Sequence, residues 1–344
     1  MVDRGRHQAL VRAAVLAAGC LLLGVLAATF LPTSSPGGGL PCRIVWGTYV
    51  TGGPLATDMA PVRAVDDSVG RHSWLVHWYV PWGASWGTFE YQHPLIDRIH
   101  SYVSMGQTGS LPLITWEPWA PPFAPDGTDI PLTAIAGGQF DAYIDSWAAG
   151  LRDDRYPVLL DFAHEMNGDW YPWGSGVNGN TPGQYVDAFR HVHDRFALAG
   201  ATNVRFVWNP NNTSTSIAAP EFYPGDDYVD WLAIDAYNSN NSWASPHDEI
   251  APIYTEISAL NSRKPMMLAE VASQATPPAG AVPVDKAAWI SDLAQDLPRS
   301  FPRIRAVVWF NELNTELTVD SSADVLQAAA RAFGGCTQST DGTQ

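Results

Sequence analysis

The fold of this chain is decided by the stretch Tyr156-Pro-Val-Leu-Leu-Asp-Phe-Ala-His-Glu-Met-Asn-Gly-Asp-Trp-Tyr-Pro-Trp-Gly174. Its first half, residues 156–163, is short and apolar, which is typical of a strand buried in a parallel sheet. Such a strand delivers His164, Glu165 and Asn167 at its C-terminal end. The sequence therefore predicts a buried strand that runs into a loop rich in ionisable and hydrogen-bonding side chains.

Trp170 and Trp173 follow at once, so that indole rings stand near a carboxyl group, an imidazole and an amide. Sugar chemistry needs such groups: a proton donor whose pKa can be raised, hydrogen bonds for hydroxyls, and flat apolar surfaces for pyranose faces. The alternative is a Trp-rich loop that only packs on its own domain. That alternative does not explain why charge, amide and imidazole are clustered, and so we favour a carbohydrate-active site.

The motif His164-Glu-Met-Asn-Gly168 with its two tryptophans resembles the acid/base signature of glycoside hydrolase family 26, and the resemblance covers about residues 43–335. It implies an α/β fold, a single (β/α)8 TIM barrel, with Glu165 as the acid/base. Family members hydrolyse β-glycans with retention, most often β-1,4-mannan, and some act on mixed-linkage β-glucan or β-1,3-xylan. The resemblance also implies that four neighbouring side chains bind substrate: His164, Asn167, Trp170 and Trp173.

Length and composition allow one large barrel and argue against a polyanionic partner. A chain of 344 residues with 46% hydrophobic content is long enough for a barrel of about 250 residues without a second domain. The net charge of -16 argues against nucleic acid, since no cluster of Lys or Arg is there to neutralise phosphates. The 15 tryptophans fit a protein that stacks on sugar rings. We expect a monomer with a polysaccharide substrate.

Strand-like and helical patterns alternate along the chain, as a β/α barrel requires. Eight short apolar runs are predicted as strands: Arg43–Val50, Ser73–Val80, Ser110–Trp116, Tyr156–Ala163, Asn203–Trp208, Tyr228–Ala236, Lys264–Val271 and Arg303–Phe310. Six stretches have the length and apolar spacing of amphipathic helices: Pro94–Ser104, Gln139–Arg152, Thr181–Ala199, His247–Asn261, Val284–Leu297 and Ser322–Phe333. Residues 54–69 are a weaker helical candidate, and residues 213–223 predict only a short or irregular helix.

Glu270 is the second candidate carboxyl group, and it lies near the end of the seventh predicted strand. In a barrel of this type the active site lies at the C-terminal ends of the strands. A glutamate there could instead be a partner in a structural ion pair, but by resemblance Glu270 takes the place of the family's nucleophile. Tyr237, after the sixth predicted strand, takes the place of a tyrosine that hydrogen-bonds the nucleophile. Such a bond favours the ionised form of Glu270.

Residues at three other strand ends are predicted to line the cleft. Trp309, on the eighth strand, resembles the family's stacking platform under the cleaved sugar. Trp309 and Trp208, on the fifth strand, could instead pack in the core. The third strand ends at Trp116 and Glu117, where many mannan-cleaving members carry a histidine. Glu117 either accepts a bond from a sugar hydroxyl or pairs with an arginine, and this departure puts mannan in doubt without affecting the catalytic pair. The fifth strand adds Trp208 and Asn209.

The first 31 residues predict a signal peptide or a transmembrane anchor. Residues 13–31 are apolar and uncharged, and they follow Arg4, Arg6 and Arg12. A Pro/Gly/Ser linker is predicted over residues 32–41, the catalytic barrel over 42–336 and a disordered tail over 337–344. The expected location is therefore extracellular, either secreted or anchored to the outer face of the cytoplasmic membrane.

Cys42 and Cys336 bracket the predicted barrel, whereas Cys20 lies in the apolar segment. Because the termini of a closed barrel are neighbours and exported proteins form disulfides, we expect a bridge between Cys42 and Cys336. On the chain-entropy model, closing so long a loop adds about 5 kcal/mol to the free energy of unfolding. Two free thiols remain the alternative.

These features predict a retaining endo-β-glycanase, with β-1,4-mannan as the favoured substrate and a mixed-linkage β-1,3/1,4-glucan as the alternative. No redox cofactor and no catalytic metal is implied. A different class of function also fits the cleft, namely a non-catalytic cell-surface protein that binds polysaccharide. The presence of both glutamates counts against that class, because a non-catalytic relative is expected to have lost one of them.

Overall fold

Eight parallel strands close into a barrel in the computed structural model, which describes residues 40–50, 58–120, 130–239, 243–277 and 279–335. In chain order the strands are β1 Val45–Val50, β2 Leu75–Pro81, β3 Val103–Ser104, β4 Gln107–Thr108, β5 Leu111–Glu117, β6 Val158–Phe162, β7 Val204–Trp208, β8 Trp231–Asn238, β9 Met266–Ser273 and β10 Ile304–Asn311. β3 and β4 form a short antiparallel hairpin outside the barrel. Each barrel strand pairs with its neighbours in chain order, and β10 closes on β1. The predicted TIM barrel is confirmed.

Helices occupy the connections between the barrel strands. The α-helices are α1 Ala60–Val69, α2 Phe89–His100, α3 Leu132–Ala136, α4 Asp141–Asp154, α5 Pro182–Ala199, α6 Pro246–Ser258, α7 Lys286–Ser300 and α8 Ala323–Phe333. Short 3-10 helices span Val177–Gly179, Ala219–Phe222 and Asp226–Tyr228. The last two lie between β7 and β8, where only a short or irregular helix is predicted, so that prediction is confirmed. Among the described residues no helix is long and apolar enough to cross a membrane, and residues 13–31 lie outside that part of the chain.

Most observed boundaries lie within a few residues of the predicted ones, but the helix predicted over Pro94–Ser104 is misplaced. Helix α2 begins at Phe89, because the Thr88 side chain caps it by accepting a hydrogen bond from Tyr91 N at 3.4 Å. Pro94 therefore lies inside the helix and does not begin it. The residues predicted as its last turn belong to the β3–β4 hairpin. Helix α3 is absent from the predictions, and residues 54–57 of the weaker helical candidate lie outside the described residues.

The barrel interior is apolar at its N-terminal end and polar at its C-terminal end. Leu75 on β2 and Leu159 on β6 belong to the apolar layer, and both are nearly fully buried. Two residues further along the same strands, the buried side chains are His77 and Asp161. Since side chains of one strand alternate between the barrel interior and the helix layer, these positions also point inward. The polar layer at the C-terminal end is the floor on which the candidate site rests.

The two ends of the described barrel are neighbours. Leu40 N donates a hydrogen bond to Ala332 O at 2.6 Å, so the chain before β1 lies against the end of α8. Cys42 follows this contact closely in sequence, whereas Cys336 lies outside the described residues. The disulfide between them therefore stays a prediction.

Mass mapping of exported protein without reductant should find Cys42 and Cys336 in one linked peptide pair. Reduction should lower the free energy of unfolding by about 5 kcal/mol on the chain-entropy model, because the closed loop spans nearly the whole barrel. Cys20, where it is retained, serves as the internal control and should be alkylated. Alkylation of both Cys42 and Cys336 before any reduction would rule the bridge out.

Candidate active site

A strained turn at the end of β6 presents Glu165. Ala163 has a φ of 50° and Glu165 a φ of 52°. Both values lie in the left-handed region of backbone conformation, which residues other than glycine seldom adopt. Such residues cost about 1–3 kcal/mol each and persist where the surrounding structure holds them. One contact that holds this turn in place is a hydrogen bond of 2.7 Å from Glu165 N to Asn209 O. The backbone thus fixes the direction in which the Glu165 carboxyl group leaves the barrel.

Both oxygens of the Glu165 carboxyl group accept hydrogen bonds. Asn211 Nδ2 donates to Oε1 and Trp170 Nε1 donates to Oε2, each at 2.5 Å. Burial raises the pKa of Glu165, and these two donors offset only part of that increase. A carboxyl group that keeps its proton to higher pH in this way can serve as a general acid.

Gly168 lets the Trp170 ring lie against the backbone of the loop. A Cβ at this position would lie 2.4 Å from Trp170 Cη2, which is closer than real side chains approach. The ring is 38% exposed while its Nε1 still reaches Glu165. Trp170 therefore offers exposed aromatic surface directly beside the Glu165 carboxyl group, and such a surface suits a sugar ring.

A bulge in β9 turns Glu270 into the cleft. The register between β8 and β9 moves from Ile234 opposite Leu268 to Asp235 opposite Glu270, which leaves Ala269 as one extra residue in β9. Ala269 packs with the apolar residues of the barrel interior. Regular alternation would therefore point Glu270 toward the helix layer, and the bulge re-aims it.

Two tyrosines donate hydrogen bonds to Glu270. Tyr237 OH donates to Oε2 at 2.5 Å, and Tyr79 OH donates to Oε1. His77 Nε2 lies 3.9 Å from the same Oε1, and burial lowers the pKa of His77 to about 3, so this ring is neutral. Burial and the charge on Glu165 raise the pKa of Glu270, whereas the two phenols act in the opposite direction.

Glu165 and Glu270 interact with each other and differ in their donors. Because the charge on Glu165 raises the pKa of Glu270, the pair releases its two protons in separate steps. A phenol is a stronger acid than an amide or indole N–H and stabilises an adjacent carboxylate more strongly. The two phenols therefore favour the ionised form of Glu270, whereas burial favours the protonated form of both carboxyl groups. One ionised and one protonated carboxyl group are what double displacement at a glycosidic bond requires.

Half-buried aromatic rings line the cleft around Glu270. Tyr49 stacks on Phe310 with ring centroids 4.3 Å apart and planes 9° from parallel. Tyr79 meets Tyr49 edge-on at 5.5 Å, and Tyr237 meets Phe310 edge-on at 5.5 Å. These rings join β1, β2, β8 and β10 into one aromatic surface. Such a surface suits the apolar faces of pyranose rings.

The sequence profile described as "Glycosyl hydrolase family 26" matches residues 134–320. The matched region is more than half of the chain and contains both Glu165 and Glu270. This chain belongs to glycosyl hydrolase family 26. The prediction of the family from the His164–Gly168 motif is confirmed.

Curated relatives and solved structures are also similar to this family 26 chain. Endoglucanase H of Acetivibrio thermocellus is 32% identical over 284 residues, which cover 79% of this chain and 29% of that protein. A mannan endo-1,4-beta-mannosidase of Thermothelomyces thermophilus is 34% identical over 135 residues, which cover 36% of this chain and 26% of that protein. The chain thus spans less than a third of the length of these relatives. A double mutant of an endo-beta-1,4-mannanase from Cellulomonas fimi has a TM-score of 0.64 at 18% identity, covers 92% of this chain and 75% of that chain, and shows the fold.

His164 and Trp173 are both predicted to bind substrate. Both are buried beneath the candidate site and support it by packing. His164 is fully buried, and its Nε2 lies 3.1 Å from Tyr171 OH. Trp173 is 2% exposed, stacks on Tyr171 with centroids 4.6 Å apart, and donates from Nε1 to His164 O at 2.7 Å. Burial lowers the pKa of His164 to about 3, so its imidazole is neutral. Half-buried Tyr171 is the member of this group with surface to offer a sugar.

Asn167 is a third predicted binding residue that acts through its neighbours. It is fully buried, and its Nδ2 donates to Asn211 O at 2.9 Å and to Ser214 Oγ at 3.0 Å. Its Oδ1 accepts a hydrogen bond from Asn211 N at 2.9 Å. Because Asn211 in turn donates to Glu165, Asn167 fixes the position of the Glu165 carboxyl group.

Asn209 bridges two buried acids below the catalytic pair. Its Nδ2 donates to Asp161 Oδ2 at 2.8 Å and to Asp235 Oδ2 at 2.9 Å. Burial raises the pKa of both acids well above the usual range, and the charges on Glu270 and Glu165 act in the same direction. Asn209 therefore supports the floor of the cleft, and its predicted contact with substrate is corrected.

Three tryptophans predicted to bind substrate face the helix layer, and that assignment is also corrected. Trp116, Trp208 and Trp309 have no exposed surface. The Trp309 ring packs on Phe333 of α8 with centroids 5.7 Å apart. Phe310, one residue further along β10, is half-buried and lies against Tyr237 and Tyr49 in the cleft.

Glu117 lies close to the catalytic pair at the end of β5. It is 4% exposed, and the Trp119 side chain acts to lower its pKa. Burial raises the pKa of Glu117 to about 8, with smaller contributions from the charges on Glu270 and Glu165. Glu117 therefore holds its proton at neutral pH and can donate a hydrogen bond as well as accept one. Among the described residues, no arginine forms an ion pair with Glu117 or contributes to its pKa.

Two residues that hold the catalytic pair, Tyr79 and Asn211, are absent from the predictions. A signal for Tyr79 exists, because it follows Leu75 and His77 at the two-residue period of inward-facing positions on β2. For Asn211 the only signal is its place after β7. What fixes it there is an isolated parallel bridge to Asp235, which has no signature in the sequence.

Proposed function

We propose that this family 26 chain is a retaining endo-β-glycanase that cleaves β-1,4-mannan. The observation that carries the proposal is the unequal environment of two neighbouring buried carboxyl groups. Glu270 receives two phenolic donors that favour its ionised form, whereas Glu165 receives an amide and an indole donor, and burial raises the pKa of both carboxyl groups. Pairs of carboxyl groups with divergent environments carry the acid and nucleophile roles in glycoside hydrolysis.

The mechanism follows from these two environments. Glu270 attacks the anomeric carbon while Glu165 protonates the leaving oxygen, and a glycosyl enzyme forms. Glu165, now ionised, takes a proton from water, and that water releases the sugar from Glu270 with the original configuration restored. Tyr237 and Tyr79 hold the Glu270 carboxylate in position, and Trp170 holds Glu165 while presenting a ring face to the sugar.

Mannan is supported by the mannan endo-1,4-beta-mannosidases among the relatives. A β-glucan is the second candidate, because the relative that matches 79% of this chain is named an endoglucanase. Glu117 also favours the second candidate, since it stands where many mannan-cleaving members carry a histidine. Substrate choice in this fold depends on such loop and strand-end contacts and is separable from the catalytic pair.

Reducing-sugar release from soluble galactomannan and from barley β-glucan tests the proposal. Release from galactomannan at a kcat/KM at least about tenfold above that for β-glucan is the expected result, about 1.4 kcal/mol of differential transition-state binding. The reverse ratio would replace mannan by the second candidate. Binding to either polymer without release would replace the enzyme by a binding protein.

The Glu117→His variant should shift the ratio of kcat/KM between manno- and gluco-configured oligosaccharides by at least about tenfold. The reason is that imidazole places its donor and acceptor differently from a protonated carboxyl group. The measurement is steady-state kinetics on matched oligosaccharides of both configurations.

Glu117→Gln is the matched control for this substitution. Its amide is neutral, has nearly the same shape as the protonated acid, and still both donates and accepts, so it should keep the wild-type ratio within about threefold. A ratio that stays within about twofold in Glu117→His would place the selective contact elsewhere in the cleft.

The remaining proposals concern the whole protein. Export is supported by the apolar segment over residues 13–31 that follows three arginines, which makes the chain secreted or tethered to the outer face of the cytoplasmic membrane. One catalytic domain over residues 42–336, working as a monomer, is the simplest organisation. Cell fractionation and light scattering of the purified protein test these two proposals, and a cytoplasmic pool or a stable dimer would refute them.

A further inference from the structure

Three buried side chains, one of them the proposed nucleophile Glu270, form a cluster with the spacing of a metal site. His164, Asp235 and Glu270 each offer one ligand atom, and these atoms lie within 4.8 Å of one another. The side chains come from the end of β6, from β8 and from β9. Because barrel strands position all three, their spacing is set by the rigid part of the fold and not by a surface loop.

Two atoms of this cluster have no hydrogen-bond partner among the described residues. They are His164 Nδ1 and Asp235 Oδ1, and both belong to side chains with no exposed surface. A buried polar atom without a partner costs about 1–3 kcal/mol, so such atoms are rare unless something binds them. A carboxyl oxygen has a lone pair to offer a cation, and so has His164 Nδ1 in the tautomer whose Nε2–H donates to Tyr171 OH.

The local charge favours a cation as well. Five buried carboxyl groups surround the cleft floor: Glu117, Asp161, Glu165, Asp235 and Glu270. Within the described part of the chain, no lysine or arginine hydrogen-bonds or pairs with any of them. A dication bound among these carboxyl groups would displace protons from its ligands and be attracted to the carboxylates that result.

We propose that His164, Asp235 and Glu270 form an inhibitory site for a divalent transition metal, with Zn²⁺ as the ion that fits best. One imidazole and two carboxylates are a zinc donor set, with ligand distances of about 2.0–2.2 Å. Tetrahedral ligands at those distances are about 3.4 Å apart, so the three side chains must close by roughly 1.4 Å or less. Mg²⁺ and Ca²⁺ fit poorly, because they prefer oxygen ligands and higher coordination numbers.

The position of the metal determines the form of inhibition. A zinc ion bound to Glu270 uses the carboxylate lone pair that would otherwise attack the anomeric carbon. The metal and the cleaved sugar therefore exclude each other, and inhibition is competitive with the glycan. This consequence rests on the proposed function, whereas binding of the metal does not.

Isothermal titration of ZnCl₂ into the purified, fully folded protein without substrate tests binding directly. One zinc per chain is expected, with MgCl₂ in the same buffer giving no comparable heat. Hydrolysis assays with added ZnCl₂ should then show a raised KM at unchanged kcat. Absence of a zinc-binding signal up to about 1 mM metal would overturn the site. Because titration needs no turnover, a protein that binds zinc and cleaves neither glycan would refute the proposed function alone.

Two substitutions locate the metal. Asp235→Asn and Glu270→Gln each remove one anionic ligand with little change in shape, and each should weaken zinc binding by at least about tenfold. Asp227→Asn, at an exposed acid outside the cleft, is the matched control and should bind as the wild type does. Should Asp235→Asn fail to fold, as judged by its thermal transition, Glu270→Gln decides. Unchanged zinc affinity in the folded variants would place the metal on surface acids and overturn the proposal.

Discussion

Glu270→Gln should lower kcat on unactivated glycan by more than about 10⁴-fold, and Glu165→Gln by about 10²- to 10⁴-fold, with the fold intact. The larger effect belongs to Glu270, because its loss removes bond formation to the anomeric carbon, whereas loss of Glu165 removes proton transfer. Each tenfold loss corresponds to about 1.4 kcal/mol of transition-state stabilisation. Steady-state kinetics, with circular dichroism as the check on folding, measures both effects.

Azide separates the two roles further. In Glu270→Ala, azide fills the space of the missing nucleophile and should restore turnover of an aryl glycoside, with a glycosyl azide of inverted configuration as the product. In Glu165→Ala, azide enters only after the glycosyl enzyme has formed, and the product should retain the configuration. Glu221→Gln, at an exposed acid of a 3-10 helix, is the matched control and should keep wild-type rates. Exchanged azide configurations would reverse the two roles.

Removal of both phenols around Glu270 should have the second-largest effect. A hydrogen bond to a charged group contributes about 1.5–3 kcal/mol, so Tyr237→Phe should lower kcat/KM by about 10- to 150-fold. The Tyr79→Phe/Tyr237→Phe double variant should lose about 10²- to 10⁴-fold, or less if the two donors compensate for each other at their shared acceptor. Tyr237 OH lies 2.5 Å from Oε2, and Tyr79 OH donates to Oε1, so each substitution removes a different bond.

The pH profile shows whether these phenols act on the charge of the nucleophile. Both lower the pKa of Glu270, whose burial and neighbouring Glu165 raise it. Without the phenols that pKa rises further, so the acidic limb of kcat/KM should move to higher pH. Tyr185→Phe is the matched control, because Tyr185 is a buried tyrosine whose OH donates to a backbone oxygen, Phe162 O at 3.4 Å. An unmoved acidic limb in the double variant would mean that the phenols only position the carboxylate.

The barrel and the two glutamates are predictable from the sequence because local patterns encode them. Strands buried on both faces give short apolar runs, and the turn after β6 carries a motif specific enough to name a family. Local patterns do not encode which side of a strand each residue faces. Trp309 and Phe310 are both apolar and adjacent, and in a strand buried on both sides no polar alternation tells which of them points into the cleft. For the same reason, Trp116 and Trp208 are predicted to line the cleft although they face the helix layer.

The support around the catalytic pair depends on contacts between distant parts of the chain. Glu270 faces inward through a bulge whose extra residue, Ala269, has nothing unusual in its sequence. Asn211 reaches Glu165 because Asn167, 44 residues earlier, holds its backbone. Such long-range hydrogen bonds leave no periodic signal, and so the residues beside the acid/base and the nucleophile emerge only from the fold.

Proton NMR of the first products released from mannohexaose tests the retaining two-glutamate mechanism most directly. The spectra must be recorded faster than the free sugars mutarotate, and the anomeric signals report the configuration at the cleaved bond. Two displacements, first by Glu270 and then by the water that Glu165 activates, predict that the β anomer appears first and the α anomer only by mutarotation. First appearance of the α anomer would mean a single displacement by water, and would contradict the role of Glu270 as nucleophile.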